Sequence, residues 1–564
     1  MKNKYQKILI FILILAALLR FWNFTQTDVY TDEALLGLRA IGLIDFDSSE
    51  VQQSPWQWVN DIPGWLHLSM SDHPLGIFLL QHFSFKIFSA NTFGLRFPSV
   101  VAGVATIYLI YLLGKKLFKE KVGLLAAFIL SLSPYHLWVS RVGLQESAVI
   151  AFGLAAFYFL ILSLENKKKL LWAWSFLGLC LLTKYTALIF LPIFFLIIWH
   201  QKKIKEFLRT KYFWLGLLLF LIIISPTIIY NLKMQQTFGH LDFQLSELFQ
   251  QKTEHWQVRA GRELAGDFQQ KVTQLPLRLK EGLSWPALII FIAGLGALSW
   301  RALKQKSNAT FFLLITILSW LFWFLIIGAT RRFLSYLSPF VALTSAWFIF
   351  YLGDFLQNKR IIKKIFFILL LTVFVFELFF SGNTFFTVRP YGRQGLTWSE
   401  VNFEIRSYGF KELENYLDQL LVHKRPAASF PPKYDFLTKI KDEALIKMKE
   451  QKLEATPLMI VYDNNIAGLA ALWLFHRRLI YEGWPILDAQ TYVMAIKNEG
   501  VDIFSSAGVK TTYFISVNSA VIPKNEKQVI NFGSQLKDVL IKQKIQPEII
   551  KNKLGETAFE IYKF

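Results

Sequence analysis

The sequence predicts a polytopic α-helical membrane protein with a soluble domain of mixed α and β structure behind its last long apolar run. Of the 564 residues, 54% are hydrophobic, with 54 phenylalanines and 18 tryptophans. A mean hydropathy of +0.38 is too high for a soluble globular chain. We expect about 11 to 13 transmembrane helices in a membrane domain over residues 1–382. Residues 383–564 are then expected to form an extracytoplasmic α/β domain.

The apolar runs of the membrane domain begin with Ile8–Phe24. No small-residue cleavage site follows this run, so it is expected to remain as a transmembrane helix. The next apolar segment, Pro74–Phe88, contains Lys86 and is only about 15 residues long, which favours an interfacial or re-entrant helix. Ten further runs follow at approximately residues 95–114, 121–140, 145–164, 170–183, 186–200, 212–230, 285–303, 309–329, 333–353 and 363–381.

The distribution of basic residues predicts which side of the membrane each loop occupies. If Pro74–Phe88 does not span, the cytoplasmic segments carry 22 Lys and Arg residues and the short outer connections carry four. If the segment did span, the basic loops would lie outside. Because basic residues concentrate on the cytoplasmic side, the first topology is favoured. It gives 11 spans in the plasma membrane, a cytoplasmic N-terminus and an extracytoplasmic C-terminal domain.

The formal net charge of +21 raises the question of a nucleic-acid partner. The basic residues lie mainly in the predicted cytoplasmic loops, and no soluble stretch combines basic with aromatic residues. Membrane lipids are therefore the expected partners, and nucleic acid is not. The single cysteine, Cys180, lies inside an apolar run, so an intrachain disulfide is excluded.

Two long outer loops interrupt the apolar pattern, at residues 25–94 and 231–284. In the first, Asp32 and Glu33 follow Thr31, a candidate N-cap, and are expected to begin an interfacial helix. Adjacent acids at this position place two carboxylates just outside the membrane. They can serve catalysis, or simply complement the helix dipole for about 0.3–1 kcal/mol.

The C-terminal domain shows both amphipathic and alternating patterns. Helices are predicted at Lys411–Leu421 and Asp442–Lys452. Strands are predicted at Leu458–Tyr462, Leu479–Tyr481, Tyr492–Ile496, Tyr513–Val517 and Phe559–Tyr562.

Four basic residues lie on the short outer connections, where such residues are otherwise scarce: Arg141, Lys184, Arg331 and Arg332. A base at a membrane edge commonly extends its charged end to the interface. A charge inside the apolar region costs about 2.5–3.5 kcal/mol and usually has a partner or a function. Arginine binds phosphate through a bidentate fork and lysine through a point charge. The four are therefore candidates for binding an anionic lipid headgroup, with Lys184 and Arg332 foremost.

The second outer loop contains His240, Asp242 and His255, which are residue types that bind divalent metal ions. One of them, together with Asp72 or Glu33, is a candidate metal site. Asp72 with His240 is the first pair to test. The spacing matches no recognised metal motif.

The order of several short motifs over residues 5–380 resembles the C-type (GT-C) glycosyltransferases. The motifs are Asp32-Glu33-Ala34, His73-Pro74-Leu75, Asn91-Thr92-Phe93-Gly94-Leu95-Arg96, Ser133-Pro134, Ser140-Arg141, Leu182-Thr183-Lys184, Pro226, Tyr230-Asn231, Arg331-Arg332-Phe333-Leu334 and Ser338-Pro339. The branch they resemble most contains the protein O-mannosyltransferases, which use dolichyl-phosphate-mannose, and the lipid A aminoarabinose transferases.

The resemblance implies a GT-C fold and an enzyme that takes a hexose or pentose from a polyprenyl-phosphate donor. Transfer would occur on the outer face, with inversion, to a hydroxyl of a lipid, glycan or protein. Asp32 matches the family's catalytic aspartate and would accept the proton of the attacking hydroxyl, for about 10²–10⁴ in rate. Lys184 and Arg332 would bind the donor phosphate, assisted by Arg331 and Arg141.

The resemblance also suggests roles for neighbouring residues. Glu33 would orient the acceptor or contact a metal, and Asp72, His73 and Arg96 would position the substrates. Turn and helix-capping roles account equally well for these last residues. Asp72-His73 stands where the aminoarabinose transferases carry an acid–lysine pair, and residues 231–284 stand where the protein mannosyltransferases carry a larger lumenal domain. Neither acceptor, lipid A or protein, is therefore favoured.

Two other functional classes compete with the enzyme. A transporter or flippase of an anionic polyprenyl-phosphate lipid would be expected to show internal repeats and ionisable residues near the membrane midplane. The charges in this sequence lie mostly at the ends of the apolar runs. A membrane-anchored binding protein would not need 11 aromatic-rich spans. The glycosyltransferase is the favoured class.

Overall fold

The computed structural model describes residues 2–49, 52–251, 253, 255–256, 267–466, 468–518 and 531–564. Within these ranges, eight helical segments are long and apolar enough to cross a membrane: Lys4–Gln26, Thr92–Leu117, Glu146–Ser163, Lys211–Phe238, Trp285–Lys304, Asn308–Ile327, Arg331–Phe355 and Arg360–Phe385. Apolar side chains drive their burial in lipid, where helices satisfy every backbone polar group internally. The protein is therefore an integral membrane protein.

The helices of the membrane domain are numbered in chain order. They are α1 (Lys2–Phe21), α2 (Asp32–Gly42), α3 (Gly76–Phe88), α4 (Thr92–Leu117), α5 (Glu120–Leu132), α6 (Pro134–Val139), α7 (Glu146–Ser163), α8 (Leu170–Thr183), α9 (Phe190–His200), α10 (Ile204–Arg209), α11 (Lys211–Phe238), α12 (Phe243–Leu248), α13 (Phe268–Gly282), α14 (Trp285–Lys304), α15 (Asn308–Ile327), α16 (Arg331–Leu334), α17 (Ser338–Phe355) and α18 (Arg360–Phe385).

Three of the 11 predicted spans, those at 121–140, 170–183 and 186–200, are helical but short or interrupted, and the second of them forms the 14-residue helix α8. The run at 121–140 divides into α5 and α6 at Pro134, which has no backbone N–H to continue the first helix. The run at 186–200 begins as a 3₁₀ turn, Tyr185–Ile189, before α9. The segment Pro74–Phe88 forms α3, whose 13 residues are fewer than the ~20 that a typical membrane span requires.

The C-terminal domain contains seven α-helices and seven strands among its described residues, together with a 3₁₀ helix at Glu400–Ile405 and a π-helix at Leu472–His476. The helices are α19 (Phe410–Leu421), α20 (Asp435–Glu450), α21 (Gly468–Ala471), α22 (Arg477–Glu482), α23 (Ala489–Glu499), α24 (Ile503–Ser506) and α25 (Phe532–Lys542). The strands are β1 (Lys424–Pro426), β2 (Glu454–Thr456), β3 (Leu458–Tyr462), β4 (Ile486–Asp488), β5 (Thr511–Val517), β6 (Glu548–Lys551) and β7 (Thr557–Lys563).

The main sheet of this domain has the order β4-β3-β5-β7-β6. Strands β3, β4 and β5 are parallel, whereas β7 runs antiparallel to both β5 and β6. A separate pair of parallel strands, β1 and β2, lies outside this sheet. The central strand β5 lies between a parallel and an antiparallel neighbour.

Two of the five predicted strands are wrong. Leu479–Tyr481 lies in helix α22, where the Tyr481 hydroxyl donates to the carbonyl oxygen of Leu38 at 2.7 Å. Tyr492–Ile496 lies in helix α23, whose first turn is capped because Asp488 accepts from the backbone N–H of Thr491. A distant contact in the first case and an N-terminal cap in the second outweigh the local β preference of these residues.

The C-terminal domain packs directly against helix α2. Gly37 lies in the contact, and a Cβ atom there would come within 2.9 Å of the Trp473 ring. Tyr481 adds hydrogen bonds to α2, accepting from the N–H of Gly42 at 3.2 Å. The position of α2, which begins with Asp32, therefore depends on both the membrane domain and the C-terminal domain.

Candidate active site

Asp32 is the first residue of helix α2, and Thr31 is its N-cap residue. Thr31 occupies the predicted N-cap position, but its side chain makes no capping hydrogen bond. The Asp32 side chain is 53% exposed, in contrast to Glu33, which is 1% exposed. Successive helical residues point about 100° apart, so the two adjacent acids enter different environments.

Asp32 begins a chain of four charged side chains. Arg332, at the start of α16, donates from Nη1 to Asp32 Oδ2. The Nε atom of the same guanidinium lies 3.1 Å from Glu146 Oε1. Lys184 Nζ donates to that Glu146 oxygen at 2.6 Å. The structure therefore brings together Asp32, Lys184 and Arg332, the three residues whose convergence the glycosyltransferase hypothesis requires.

The electrostatics of this cluster favour an ionised Asp32. Burial among the surrounding protein atoms raises the pKa of its carboxyl group, but the charges of Arg332, His73 and Lys184 outweigh that effect. The net result is a pKa of Asp32 below its ordinary value. The carboxylate is consequently ionised at neutral pH, which is the state a proton acceptor requires.

The phosphate-binding potential of the cluster comes from its two cations. Lys184 and Arg332 share a single buried acid, Glu146, which is fully enclosed by the protein. The Phe333 ring lies beside both, 5.2 Å from Lys184 Nζ and 5.9 Å from the centre of the Arg332 guanidinium. Lys184 and Arg332 are held together by Glu146, and Arg332 also reaches the half-exposed Asp32, so two cations face two acids in this cluster.

Glu33 is directed into the protein rather than toward this cluster. Arg96 donates to both of its carboxylate oxygens, from Nε to Oε2 at 2.9 Å and from Nη2 to Oε1 at 2.5 Å. The backbone N–H of Gly143 also donates to Glu33 Oε2 at 2.6 Å. Both residues are almost completely buried. This pair joins α2 to α4 and fixes the direction in which Asp32 points.

A third group of charges surrounds Arg39, on the last turn of α2. Arg39 donates to Asp72 at 2.5 Å and lies 3.6 Å from both Asp45 and Asp47. Burial raises the pKa of Asp45 to about 7. His73 Nδ1 is 3.1 Å from Asp72 Oδ2. Asp72 therefore contacts Arg39 and His73. Of these three residues, His73 is the one that contributes to the lowered pKa of Asp32.

Two of the predicted phosphate ligands have other surroundings. Arg331 contacts three carboxylates, those of Glu281 at 2.8 Å, Glu400 at 2.9 Å and Glu404 at 3.1 Å. Its charge is therefore already compensated, and it ties α16 to α13 and to the segment that leads into the C-terminal domain. Arg141 donates to the carbonyl oxygen of Leu19 at 2.5 Å.

Comparisons with known proteins agree with this architecture. A family model described as dolichyl-phosphate-mannose-protein mannosyltransferase matches residues 72–230. The fold is similar to that of ArnT from Cupriavidus metallidurans bound to undecaprenyl phosphate, with a TM-score of 0.54 and 10% identity over 98% of this chain and 97% of ArnT. The fold is that of a GT-C glycosyltransferase. The resemblance inferred from the order of the short motifs is confirmed.

Other GT-C structures extend the comparison. ArnT from Cupriavidus metallidurans in the apo state has a TM-score of 0.52 and 10% identity, over 98% of this chain and 97% of ArnT. The apo oligosaccharyltransferase of Archaeoglobus fulgidus has a TM-score of 0.50 and 13% identity, over 91% of this chain and 69% of that chain. No curated protein sequence matches the chain. At these identities the likeness establishes the GT-C fold.

The predicted metal ligands do not converge in this GT-C structure. His240 Nε2 lies 3.1 Å from His255 Nδ1, and its Nδ1 lies 2.7 Å from the Leu241 carbonyl oxygen. Asp242 accepts from the hydroxyl of Tyr185 and from Asn231. Among the described residues, no three His, Cys, Asp or Glu side chains group as metal ligands would. No step of the chemistry is therefore assigned to a metal held by Asp72 and His240.

Glu146 is the residue of the site that the sequence predictions missed. It is the first residue of α7 and holds both Lys184 and Arg332. Its position in the sequence is informative, because a carboxylate at the edge of an apolar run usually has a partner or a function. Local sequence did not indicate that its partners lie 38 positions away at Lys184 and still further along the chain at Arg332.

Proposed function

We propose that this protein is a glycosyltransferase that moves a sugar from a polyprenyl-phosphate donor to an acceptor hydroxyl on the outer face of the plasma membrane. The observation that carries this proposal is the single guanidinium of Arg332, which contacts both Asp32 and Glu146. A phosphate bound by Lys184 and Arg332 would therefore be separated from Asp32 only by the Arg332 side chain.

In the proposed reaction, the donor phosphate binds to Lys184 and Arg332 and places the anomeric carbon beside Asp32. The acceptor oxygen attacks this carbon from the face opposite the phosphate, while Asp32 takes the hydroxyl proton. A glycosidic C–O bond forms and the C–O bond to phosphate breaks, its electron pair leaving with the phosphate. The products are the glycosylated acceptor and polyprenyl phosphate, and the anomeric configuration is inverted.

The protein supplies two separable contributions to this reaction. Asp32 acts as general base, a function typically worth about 10²–10⁴ in rate. Lys184 and Arg332 stabilise the negative charge that develops on the departing phosphate, in a pre-arranged site that needs little reorganisation. Glu33 has no direct part in this scheme, because Arg96 and the N–H of Gly143 occupy its oxygens. Its role is to hold α2 and thereby aim Asp32.

The relatives in the GT-C group support the donor class. ArnT from Cupriavidus metallidurans was solved with undecaprenyl phosphate, which is a polyprenyl phosphate. The matched family model is described by a dolichyl-phosphate-linked mannose donor. We propose the same class of donor here, with a lipid, glycan or protein as acceptor. The cytoplasmic N-terminus and the extracytoplasmic C-terminal domain are part of this proposal.

The test uses the full-length protein in native membrane lipid and a panel of radiolabelled polyprenyl-phosphate monosaccharides. Wild type is expected to transfer label from one panel member to an acceptor, and Asp32→Asn to lose transfer while remaining folded. Asp61→Asn is the matched control, since Asp61 is an exposed acid on the same outer loop. A fully active Asp32→Asn protein would contradict the mechanism. Movement of the donor across the membrane without transfer would indicate a flippase instead.

A further inference from the structure

A cavity of about 710 Å³ lies beside the outer ends of α1 and α18. Its walls come from four parts of the chain: the segment after α1, Arg141 between α6 and α7, the end of α18 with the segment after it, and the loop between β6 and β7. Asp32, Lys184 and Arg332 do not line it. The cavity is therefore separate from the candidate active site, and it joins the membrane domain to the C-terminal domain.

The charges that line this cavity are unbalanced. Four cations face it, Arg141, Arg389, Arg406 and Lys553, against the single carboxylate of Glu556. In the described part of the chain, none of the four has a carboxylate oxygen within salt-bridge distance. Glu556 accepts a hydrogen bond from Asn552 at 2.9 Å. A cavity with four cations and one acid attracts an anion.

Arg141 shows that one of these cations is built into the cavity wall. Its side chain is 5% exposed, and its guanidinium lies 6.0 Å from the ring centroid of Phe385 and 5.2 Å from that of Phe386. Its Nη1 donates to a neutral carbonyl oxygen, that of Leu19. A nearly buried guanidinium without a carboxylate partner is an uncompensated positive charge, which a bound anion would stabilise. Lys553 donates to a carbonyl oxygen, that of Gln26, and lies within electrostatic range of the Asp28 and Glu412 carboxylates, which compensate part of its charge.

The surroundings of the cavity indicate that its ligand comes from the membrane. Trp22, on its wall, is 62% exposed, and Leu18, one turn earlier on α1, is 58% exposed. At the other side, Phe379 of α18 is 46% exposed and leads to Phe385. Aromatic residues concentrate where transmembrane helices meet the headgroup region. An acyl chain can therefore follow these apolar faces while its headgroup enters the cavity.

We propose that this cavity binds the phosphate-bearing headgroup of an anionic phospholipid from the outer leaflet. The phosphate would lie among Arg141, Arg389, Arg406 and Lys553, and the acyl chains would lie along α1 and α18. A lipid bound in this way joins the β6–β7 loop of the C-terminal domain to the ends of two transmembrane helices. This inference rests on the proposed orientation of the termini, but it does not depend on the proposed sugar transfer.

The test measures lipid retention by native mass spectrometry of the full-length protein released from detergent. The probes are phosphatidylglycerol, phosphatidylcholine with identical acyl chains, and inorganic phosphate. Phosphatidylglycerol is expected to bind wild type at least about tenfold more tightly than phosphatidylcholine. The double variant Arg389→Gln/Arg406→Gln is expected to lose about tenfold in phosphatidylglycerol affinity, since each base near the membrane surface contributes to anion binding. These two arginines are exposed, so the substitutions spare the packed interior.

The matched control is Arg393→Gln/Lys439→Gln, which removes two exposed cations that do not line the cavity. It is expected to bind phosphatidylglycerol as wild type does. Equal retention of the two phospholipids by wild type overturns the proposal, as does equal retention of phosphatidylglycerol by wild type and the Arg389→Gln/Arg406→Gln variant. Inorganic phosphate binding as tightly as phosphatidylglycerol would identify a soluble anion site and also overturn it.

Discussion

Arg332 donates a hydrogen bond to Asp32 although 300 positions separate the two residues in the chain. The contact places the most exposed acid of the site against a cation that also holds Glu146. A proton acceptor and a phosphate ligand are thereby coupled through one side chain. This coupling gives the site testable properties that neither residue alone would have.

Arg332→Ala is expected to raise the KM for the polyprenyl-phosphate donor by about tenfold or more, because it removes a charged hydrogen-bond donor worth about 1.5–3 kcal/mol. Initial rates measured over a range of donor concentrations, at saturating acceptor, give this constant. Arg331→Ala is the matched comparison, since three carboxylates compensate that charge. It is expected to lower thermal stability with little change in donor KM. Unchanged donor kinetics in Arg332→Ala would remove this residue from the site.

The pH dependence of transfer should report the same contact. Burial raises the pKa of Asp32, but Arg332 and its neighbours lower it below the ordinary value of 3.8. Activity that needs the ionised carboxylate is therefore retained as pH falls through 5, and is lost only below that lowered pKa. In Arg332→Ala the effect of burial is less opposed, so the acid limb of kcat/KM moves to higher pH. Profiles that extend from about pH 2.5 to 8 test this, because they include the range below 3.8, and identical acid limbs in both proteins would contradict it.

Glu146→Gln is expected to leave Lys184 and Arg332 close together without their shared buried acid. Breaking a buried ion pair in this way typically costs about 3–5 kcal/mol. The melting temperature should therefore fall, and added polyprenyl phosphate should raise it by more in the variant than in wild type, because the phosphate replaces the missing charge. Thermal unfolding with and without polyprenyl phosphate measures both effects. An equal ligand-induced shift in the two proteins would rule out a phosphate between these cations.

Arg96→Ala is expected to destabilise the membrane domain, since it leaves Glu33 buried without the partner that holds both of its oxygens. The expected loss is about 3–5 kcal/mol in the free energy of unfolding. The double variant Arg96→Leu/Glu33→Leu should recover part of this loss, because it removes the unpaired charge as well. Thermal unfolding of the three proteins provides the comparison. If Glu33 were instead catalytic, the Glu33→Gln variant would have a lower kcat and an unchanged free energy of unfolding.

The sequence predicted the elements that depend on local composition. All 11 apolar runs are helical over most of their length in the structure, because hydropathy and the need to satisfy backbone polar groups act locally. The strands Leu458–Tyr462 and Phe559–Tyr562 were likewise predicted and lie within β3 and β7. The strand predicted at Leu479–Tyr481 failed where a contact with α2 decides the conformation.

The candidate site was less accessible to sequence reasoning. Lys184 and Arg332 stand out in the sequence as charges at the ends of apolar runs, whereas Asp32 stands out as one of two adjacent acids beyond the first run and through the resemblance to the GT-C enzymes. The sequence does not indicate which of two neighbouring charges is neutralised by acids from elsewhere in the chain. Arg331 and Arg332 are adjacent, yet one contacts three acids and the other reaches Asp32. That division depends on the direction of each side chain in α16 and on acids contributed by distant segments.

The contact between Asp28 and the start of α19 has a consequence for the synthesis of the chain. The Asp28 carboxylate accepts from the backbone N–H groups of Tyr408 at 2.5 Å, Gly409 at 3.1 Å and Lys411 at 2.9 Å. At about 5–20 residues per second, a ribosome needs roughly 20–80 s to make the 380 residues between Asp28 and Tyr408. Throughout that interval α2 lacks the surface against which it finally packs. A nascent or truncated chain would therefore hold α2 only through contacts within the membrane domain, such as that of Glu33 with Arg96, and the proposed transfer would reach its full rate only after the last domain has been translated.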